Sequence, residues 1–220
     1  MSGWSDELIF CQRCPRLVQW RNEASFNKPK RFKHWIYWAR PVPGFGDPNA
    51  ELLIIGLAPA AHGGNRTGRL FTGDRSGEWL FDALYKFGFS SYPESKHFND
   101  SMKLFNAYIT AVCRCAPPQN KPLAQELRNC QIFLEKDLNN LSNLKAVLTL
   151  GGIATSWFGK LIGEKLTFQH STRQTVTYND KHLTVFMSYH PSQQNTFTGR
   201  LTKQMWYKIF ENIKNFLSSK

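Results

Sequence analysis

The sequence contains no long hydrophobic run, and no window reaches the roughly eighteen consecutive apolar residues that a membrane-spanning helix requires. Its first residues, MSGWSDELIFCQRC, lack a basic segment followed by a long apolar one, so we expect no secretory signal peptide. We therefore expect a cytoplasmic protein with no membrane partner, in a compartment where thiols stay reduced. In that setting the 5 cysteines are metal ligands or free thiols rather than a disulfide framework.

The usual nucleotide-binding motifs are also missing. In the stretch GLAPAAHGGNRTGRLFTGD, residues 56–74, two glycines have the spacing of a Walker A loop. Arg69 and Leu70 stand where that motif has lysine and a hydroxyl residue, so the phosphate and magnesium ligands are absent. No G-x-G-x-x-G occurs either. A nucleotide-dependent enzyme is therefore disfavoured, although tight ATP binding would support it.

Acidic residues are few, 16 against 28 Lys and Arg, and the net charge is +12. Such an excess favours a polyanionic partner, which is either nucleic acid or a membrane surface. The aromatic content of 14% suits stacking on bases, so nucleic acid is the favoured partner. The alternative is a basic surface that is simply well solvated.

The sequence has no internal repeat, and its 220 residues are typical of one domain. Short apolar runs bounded by turn residues predict strands at residues 52–55, 107–112, 146–150 and 183–188. Apolar residues at helical spacing predict helices at 78–87, from Pro122 onward, at 153–162 and at 201–217. Alternating strands and helices predict one α/β domain over residues 1–220, with helices on both faces of a mainly parallel sheet. Residues 1–50 are expected to form an arm packed on this domain, irregular from residue 21 onward.

Ligands of open parallel sheets bind at the carboxyl ends of strands. Polar or glycine-rich loops follow two of the predicted strands there, and they contain Phe71, Asp74 and His190. Each of these residues also has a purely structural interpretation. Asp74 suits a helix cap, Phe71 suits core packing, and a single histidine is often a buried structural residue.

Four cysteines form two pairs that suit a metal site. Cys11 and Cys14 have C-x-x-C spacing, and Cys115 and Cys130 form the second pair. Four thiolates hold either tetrahedral zinc or a four-iron cluster, and spacing does not separate these. The alternative is that the second pair are small buried residues. Cys113 is left over.

Three segments together resemble the family 5 uracil-DNA glycosylases, the B type of the uracil-DNA glycosylase superfamily. They are residues 56–74, CRCAPPQNKP at 113–122 and HPSQQNTFTGRLT at 190–202. The resemblance implies a three-layer α/β/α sandwich with a four-stranded sheet. It also implies a monomeric, monofunctional DNA glycosylase of the bacterial or archaeal cytosol, associated with the nucleoid. Its substrate would be double-stranded DNA containing uracil or other deaminated bases such as hypoxanthine. The rival hypothesis is a non-catalytic nucleic-acid-binding protein with a structural metal site.

The resemblance also implies roles for individual residues. It implies a structural [4Fe–4S] cluster, with zinc as the alternative, held by Cys11, Cys14, Cys115 and Cys130. The catalytic pair would be Asp74, which activates water, and His190, which donates a hydrogen bond to the base. Contacts to the base would come from Gly56, Leu57, Ala58, Phe71, Asn120, Ser192 and Asn195. Contacts to the DNA backbone would come from Arg66, Arg69 and Arg200. Gln193 and Gln194 replace the apolar wedge of many relatives, so Phe197 or Leu201 is expected to serve instead.

Overall fold

The computed structural model describes the backbone of residues 4–219 and the side chains of residues 6–219. Among these residues, strands form a six-stranded sheet in the order β1-β3-β2-β4-β6-β5. The strands are β1 (Phe45–Gly46), β2 (Leu52–Gly56), β3 (Ala107–Ala111), β4 (Ala146–Leu150), β5 (Thr172–Tyr178) and β6 (Lys181–Ser188).

The four central strands are those that the sequence predicts. β2 pairs in parallel with β3 and with β4, and β4 pairs in parallel with β6. The register places Ile54 beside Ile109 on one side and beside Leu148 on the other. Every residue of β2 and β4 is buried, as expected for strands covered on both faces.

Two antiparallel edge strands extend the expected four-stranded sheet to six. β1 contains only two residues and pairs with β3, while β5 pairs along the whole of its length with β6. β5 reads TRQTVTY, and Val176 is its only buried residue, because one side of an edge strand faces solvent. Neither strand contains an apolar run, so the sequence pattern does not reveal them. The α/β class and the mainly parallel core are confirmed.

Eight α-helices are described: α1 (Trp4–Ile9), α2 (Pro15–Phe26), α3 (Gly64–Thr67), α4 (Arg75–Lys86), α5 (Ala124–Asn140), α6 (Gly152–Ile162), α7 (Gln193–Phe197) and α8 (Lys203–Ser218). Four of them, α4, α5, α6 and α8, lie where periodicity predicts a helix. α4 begins at Arg75, three residues earlier than predicted, and the Asp74 side chain caps it. α2 extends into the segment that we expected to be irregular. Few of its side chains are apolar and buried, so the sequence has no periodic pattern that predicts this helix.

Helices cover both faces of the sheet and produce three layers. On one face α4 and α8 bury Leu80 and Phe210 against Ile54. On the other face α2, α5 and α6 bury side chains such as Leu17 and Phe158 against Leu53, Ile55 and Val147. Each fully buried side chain of this size contributes about 1.5–3 kcal/mol relative to an exposed one. This packing fixes the carboxyl ends of the central strands along one edge of the sheet. Within residues 4–219, no helix combines the length and the apolar character needed to cross a bilayer.

Candidate active site

The loop after β2, residues 57–74, forms the floor of the candidate site. Its first residues stay attached to the segment after β3, because the backbone N–H groups of Val112 and Cys113 donate to the carbonyls of Gly56 and Leu57 at 3.0 and 2.9 Å. The loop then makes the single turn α3. Gly68 ends that turn at φ +77°, a conformation that favours glycine.

Asp74 lies at the end of this loop, where it caps α4. Its Oδ1 accepts a hydrogen bond from the backbone N–H of Gly77 at 3.0 Å, while its Oδ2 lies so close over Gly63 that a Cβ there would clash with it. Burial raises the pKa of the Asp74 carboxyl, and the backbone N–H groups of Gly77 and Ser76 oppose that shift. The cap interpretation is therefore correct, and it leaves the carboxylate rigidly placed with an elevated proton affinity.

Phe71 and His190 bring the ends of β2 and β6 together. The Phe71 ring covers Gly56 so closely that an added Cβ would lie 2.6 Å from its Cζ. The same ring stacks on the His190 imidazole, with centroids 5.8 Å apart and planes at 26°. The strand-end rule thus predicts this meeting correctly, although β4 lies between the two strands.

His190 is held by its own loop and is neutral at physiological pH. The Asn195 side-chain amide donates to the His190 carbonyl at 2.8 Å, so Asn195 shapes the loop that presents the imidazole. Burial lowers the pKa of His190 to about 4. A neutral imidazole carries one N–H donor and one acceptor, so it can donate a hydrogen bond without carrying a charge.

The sequence analysis missed His170, which supports this loop. Its ring stacks on Tyr189 with centroids 4.8 Å apart and planes at 3°, and its Nδ1 accepts the Tyr189 backbone N–H at 3.2 Å. Arg200 is exposed, and its guanidinium lies 4.5 Å from the centre of the Tyr189 ring. His170 follows no strand and belongs to no motif, so only the fold reveals its place.

Two of the three arginines expected to bind phosphates are buried. Arg66 and Arg69 are 3% and 5% exposed. Arg69 pairs with Asp100 and donates to the Phe98 carbonyl at 2.9 Å, while Arg66 donates to the His62 carbonyl at 2.7 Å. The expectation for these two residues is therefore corrected, because both guanidinium groups are used inside the protein.

The structure gives the positions of the remaining predicted base contacts but does not assign them a role. Asn120 is exposed at φ +57° in a short turn after β3, and no described side-chain contact joins it to the Phe71–Asp74–His190 group. Ser192 is the first residue before α7, and Leu57 and Ala58 are partly exposed at the start of the loop. Of the two wedge candidates, Leu201 is fully buried, which is incompatible with that role, whereas Phe197 is 67% exposed beside Arg75.

All five cysteines line one narrow pocket between α1, α2, α5 and the segment after β3, with about 20 Å³ of space for water. Three of the sulfurs face N–H donors. Arg21 lies 3.1 Å from the Cys115 Sγ, the Arg114 backbone N–H lies 3.2 Å from the Cys130 Sγ, and Asn129 lies 3.5 Å from the Cys14 Sγ. Within residues 6–219, no three His, Cys, Asp or Glu side chains are arranged as a group that could hold a metal ion.

Comparisons with known proteins agree with this geometry. Residues 43–214 match the family model of the uracil DNA glycosylase superfamily. The type-5 uracil-DNA glycosylase of Thermus thermophilus is 45% identical over 210 residues, which is 94% of each chain. Those of Pyrobaculum aerophilum and Mycobacterium leprae are 44% and 43% identical and cover 91% and 94% of this chain, and 88% and 92% of their own. The chain therefore belongs to the type-5 uracil-DNA glycosylases of that superfamily, as its three sequence segments predict.

Proposed function

We propose that this protein removes uracil from DNA by hydrolysing the bond between the base and its deoxyribose. Membership of the family makes the chain a DNA glycosylase. The observation that carries the proposal is the stacking of Phe71, from the loop that ends at Asp74, on His190 at the end of β6. A protein that only binds nucleic acid needs neither a carboxyl whose pKa burial raises nor a neutral histidine of this kind. The rival hypothesis is therefore disfavoured.

Substrate entry requires the target nucleotide to leave the duplex. The atoms of the glycosidic bond are inaccessible in stacked DNA, so the nucleotide flips into the crevice at a cost of a few kcal/mol. The net charge of +12 attracts the DNA backbone, and exposed Arg200 remains as a phosphate contact at the rim. Phe71 supplies the aromatic surface of the crevice, against which the flipped base packs.

The chemistry follows from the two titratable groups. Breaking the glycosidic bond leaves positive charge on the sugar and sends the bonding electron pair to the base, as in other glycoside hydrolyses. The Asp74 carboxylate stabilises the sugar cation and accepts a proton from the attacking water, whose oxygen bonds to the sugar carbon. Neutral His190 donates a hydrogen bond to the base oxygen on which negative charge develops. A raised carboxyl pKa makes Asp74 a stronger base for that step.

We also propose that the crevice accepts other deaminated bases, including hypoxanthine, in double-stranded DNA. The support is that the contacts around Phe71 involve an aromatic ring over Gly56 and the His190 imidazole, neither of which reads one particular base. The test is single-turnover excision from labelled strands containing one uracil or one hypoxanthine, with each strand used alone and in duplex. Release of uracil supports the principal proposal, and absence of release with the DNA still bound contradicts it. Release of hypoxanthine decides the wider one.

We further propose that Cys11, Cys14, Cys115 and Cys130 hold a [4Fe–4S] cluster. Support comes from the shared pocket and from the N–H donors at three of these four sulfurs, which suit thiolate ligands. A single zinc ion held by the same four thiolates is the alternative. When bound, the cluster supplies a structural cross-link between the arm and α5. Iron and sulfide analysis of anaerobically purified protein tests this: Cys14→Ser should lose iron, and Cys113→Ser should retain it. Equal iron content in both variants would contradict the ligand set.

A further inference from the structure

Arg66 occupies an unusual position in the site. Its guanidinium carbon lies 3.9 Å from the centre of the Phe32 ring and 4.1 Å from that of the Trp35 ring. The two rings are 6.3 Å apart and nearly perpendicular, at 79°, so the guanidinium lies in the corner that they form. Cation–π contacts to these two partly buried rings favour one orientation of the arginine. The aromatic residues of the N-terminal arm therefore fix Arg66 in place.

The same guanidinium joins two parts of the loop that carries Asp74. Arg66 Nε donates to the carbonyl of His62 at 2.7 Å, and Nη2 donates to the carbonyl of Gly73 at 3.1 Å. Gly73 has φ +82°, and a Cβ on it would clash with Arg66 Nη2. Since Gly73 immediately precedes Asp74, Arg66 fixes the backbone from which the carboxylate projects.

Building on the proposed role of Asp74, we propose that Arg66 is a positioning residue for the hydrolytic reaction. In this proposal Arg66 holds the Asp74 carboxylate at the reacting sugar, and Phe32 and Trp35 of the arm hold Arg66. A guanidinium suits this task better than an ammonium, because it stacks on rings and donates in fixed directions at the same time.

The charges around Asp74 agree with such a role. The positive charge of Arg66 lowers the pKa of Asp74, whereas burial and the neighbouring Glu78 of α4 raise it. The titratable groups that face Arg66 in turn are Tyr37 and Arg31 of the arm, His62 of the loop and Asp74 itself. Within the described residues, no carboxylate forms a salt bridge with Arg66, in contrast to Arg69, which pairs with Asp100. Loss of the Arg66 charge should therefore make Asp74 harder to ionise.

The test compares Arg66→Met with Arg66→Lys and uses Arg69→Met as the control for the loss of a buried guanidinium. Single-turnover excision is measured at saturating DNA against pH, together with the DNA Kd at two salt concentrations. We expect Arg66→Met to react about tenfold more slowly or worse at neutral pH, with a Kd within about twofold of wild type. The fall in its rate on the acidic side of the pH profile should move to higher pH. Arg66→Lys should return this fall to the wild-type pH. Arg69→Met should lose thermal stability without moving the fall in rate.

Two outcomes would overturn the proposal. One is an Arg66→Met enzyme with the wild-type rate and pH profile. The other is weaker binding with a shallower salt dependence and an unchanged rate at saturation, which is the signature of a phosphate contact. If Arg66→Met does not fold, Phe32→Leu and Trp35→Leu retain the charge and decide the question: slower chemistry at unchanged Kd supports the proposal, and wild-type chemistry contradicts it.

A failure of this inference is distinguishable from a failure of the proposed function. If Asp74→Asn excises uracil at the wild-type rate, the proposed role of Asp74 is wrong, and with it the inference about Arg66. If Asp74→Asn is inactive while all Arg66 variants behave as wild type, only the inference about Arg66 is wrong.

Discussion

The candidate active site at the strand ends and the cysteine pocket both bring together polar groups from distant parts of the chain. They differ in how buried charge is compensated. At the strand ends, no side chain among those described forms a salt bridge with Asp74 or His190, and burial shifts the pKa of each towards its neutral form. Behind the cysteine pocket, Arg114 and Asp137 are 1% and 0% exposed and form an ion pair. Burial raises the pKa of Asp137 as well, but there the Arg114 charge opposes the shift, whereas at Asp74 backbone N–H groups oppose it. A buried pair of this kind serves stability.

One residue of the arm, Arg21, contacts both regions. Arg21 of α2 lies 3.1 Å from the Cys115 Sγ, and its backbone carbonyl accepts a hydrogen bond from Asn65 of α3 at 3.1 Å. α3 is part of the loop that ends at Asp74. The arm is thus a structural link between the pocket and the site, so variants in each region test whether stability and activity can be separated.

Replacing Asp74 should separate the effect on activity from the effect on stability most strongly. Asp74→Asn removes the base, and we expect the single-turnover rate to fall by about 10²–10⁴-fold. Asparagine caps helices as well as aspartate does, so α4 should keep its cap. Because burial raises the pKa of Asp74, ionisation there costs stability as pH rises through that pKa, and the neutral variant should melt at or above the wild-type temperature. A variant that loses activity and stability together would contradict this division.

His190→Ala should have the second-largest effect on activity. Loss of the hydrogen-bond donor to the developing negative charge should lower the rate by about 10²–10³-fold at saturating DNA. The Kd for DNA should change little, because the interaction strengthens only in the transition state. His190→Gln retains an N–H donor and serves as the comparison. If both variants react at the wild-type rate, His190 has a structural role only.

Asp137→Asn should show the opposite pattern, with lost stability and retained chemistry. The change leaves the buried Arg114 guanidinium without its counter-ion, and two of its nitrogens already lack a partner. Breaking a buried pair in this way costs about 3–5 kcal/mol, measurable by denaturant unfolding. Glu211→Gln, which breaks the exposed pair with Lys208, is the control and should cost little. The excision rate of the folded Asp137→Asn protein should stay near that of wild type.

The pH profile should show the smallest effect. The wild-type rate should fall as pH is lowered through the pKa of Asp74, which burial raises from its ordinary value. His190 should add no step above its pKa of about 4, because it is neutral there. The residual rate of Asp74→Asn should lack the acid limb. An acid limb of unchanged position in that variant would assign the titration to another group.

Much of the fold could be predicted because burial leaves a direct mark on composition. The four central strands are buried on both faces and are therefore apolar runs, which the sequence shows without ambiguity. β5 and α2 present mainly polar side chains to solvent, so neither has a pattern that distinguishes it from a loop. The strand-end rule also predicted that the loops after β2 and β6 meet, as the stacking of Phe71 on His190 shows, because parallel strands direct their carboxyl ends to one edge.

The sequence by itself determined the central sheet, the loops at its carboxyl edge, the family and the residues able to carry the chemistry. Only the tertiary structure decided what each arginine of the loop touches. In the segment NRTGR, the sequence does not distinguish an arginine that contacts a phosphate from one that contacts a buried partner, because both are charged residues near glycine. The partners lie far away in the chain: Asp100 for Arg69, and Phe32 and Trp35 for Arg66. Local sequence does not predict contacts that form only when the arm packs against the loop.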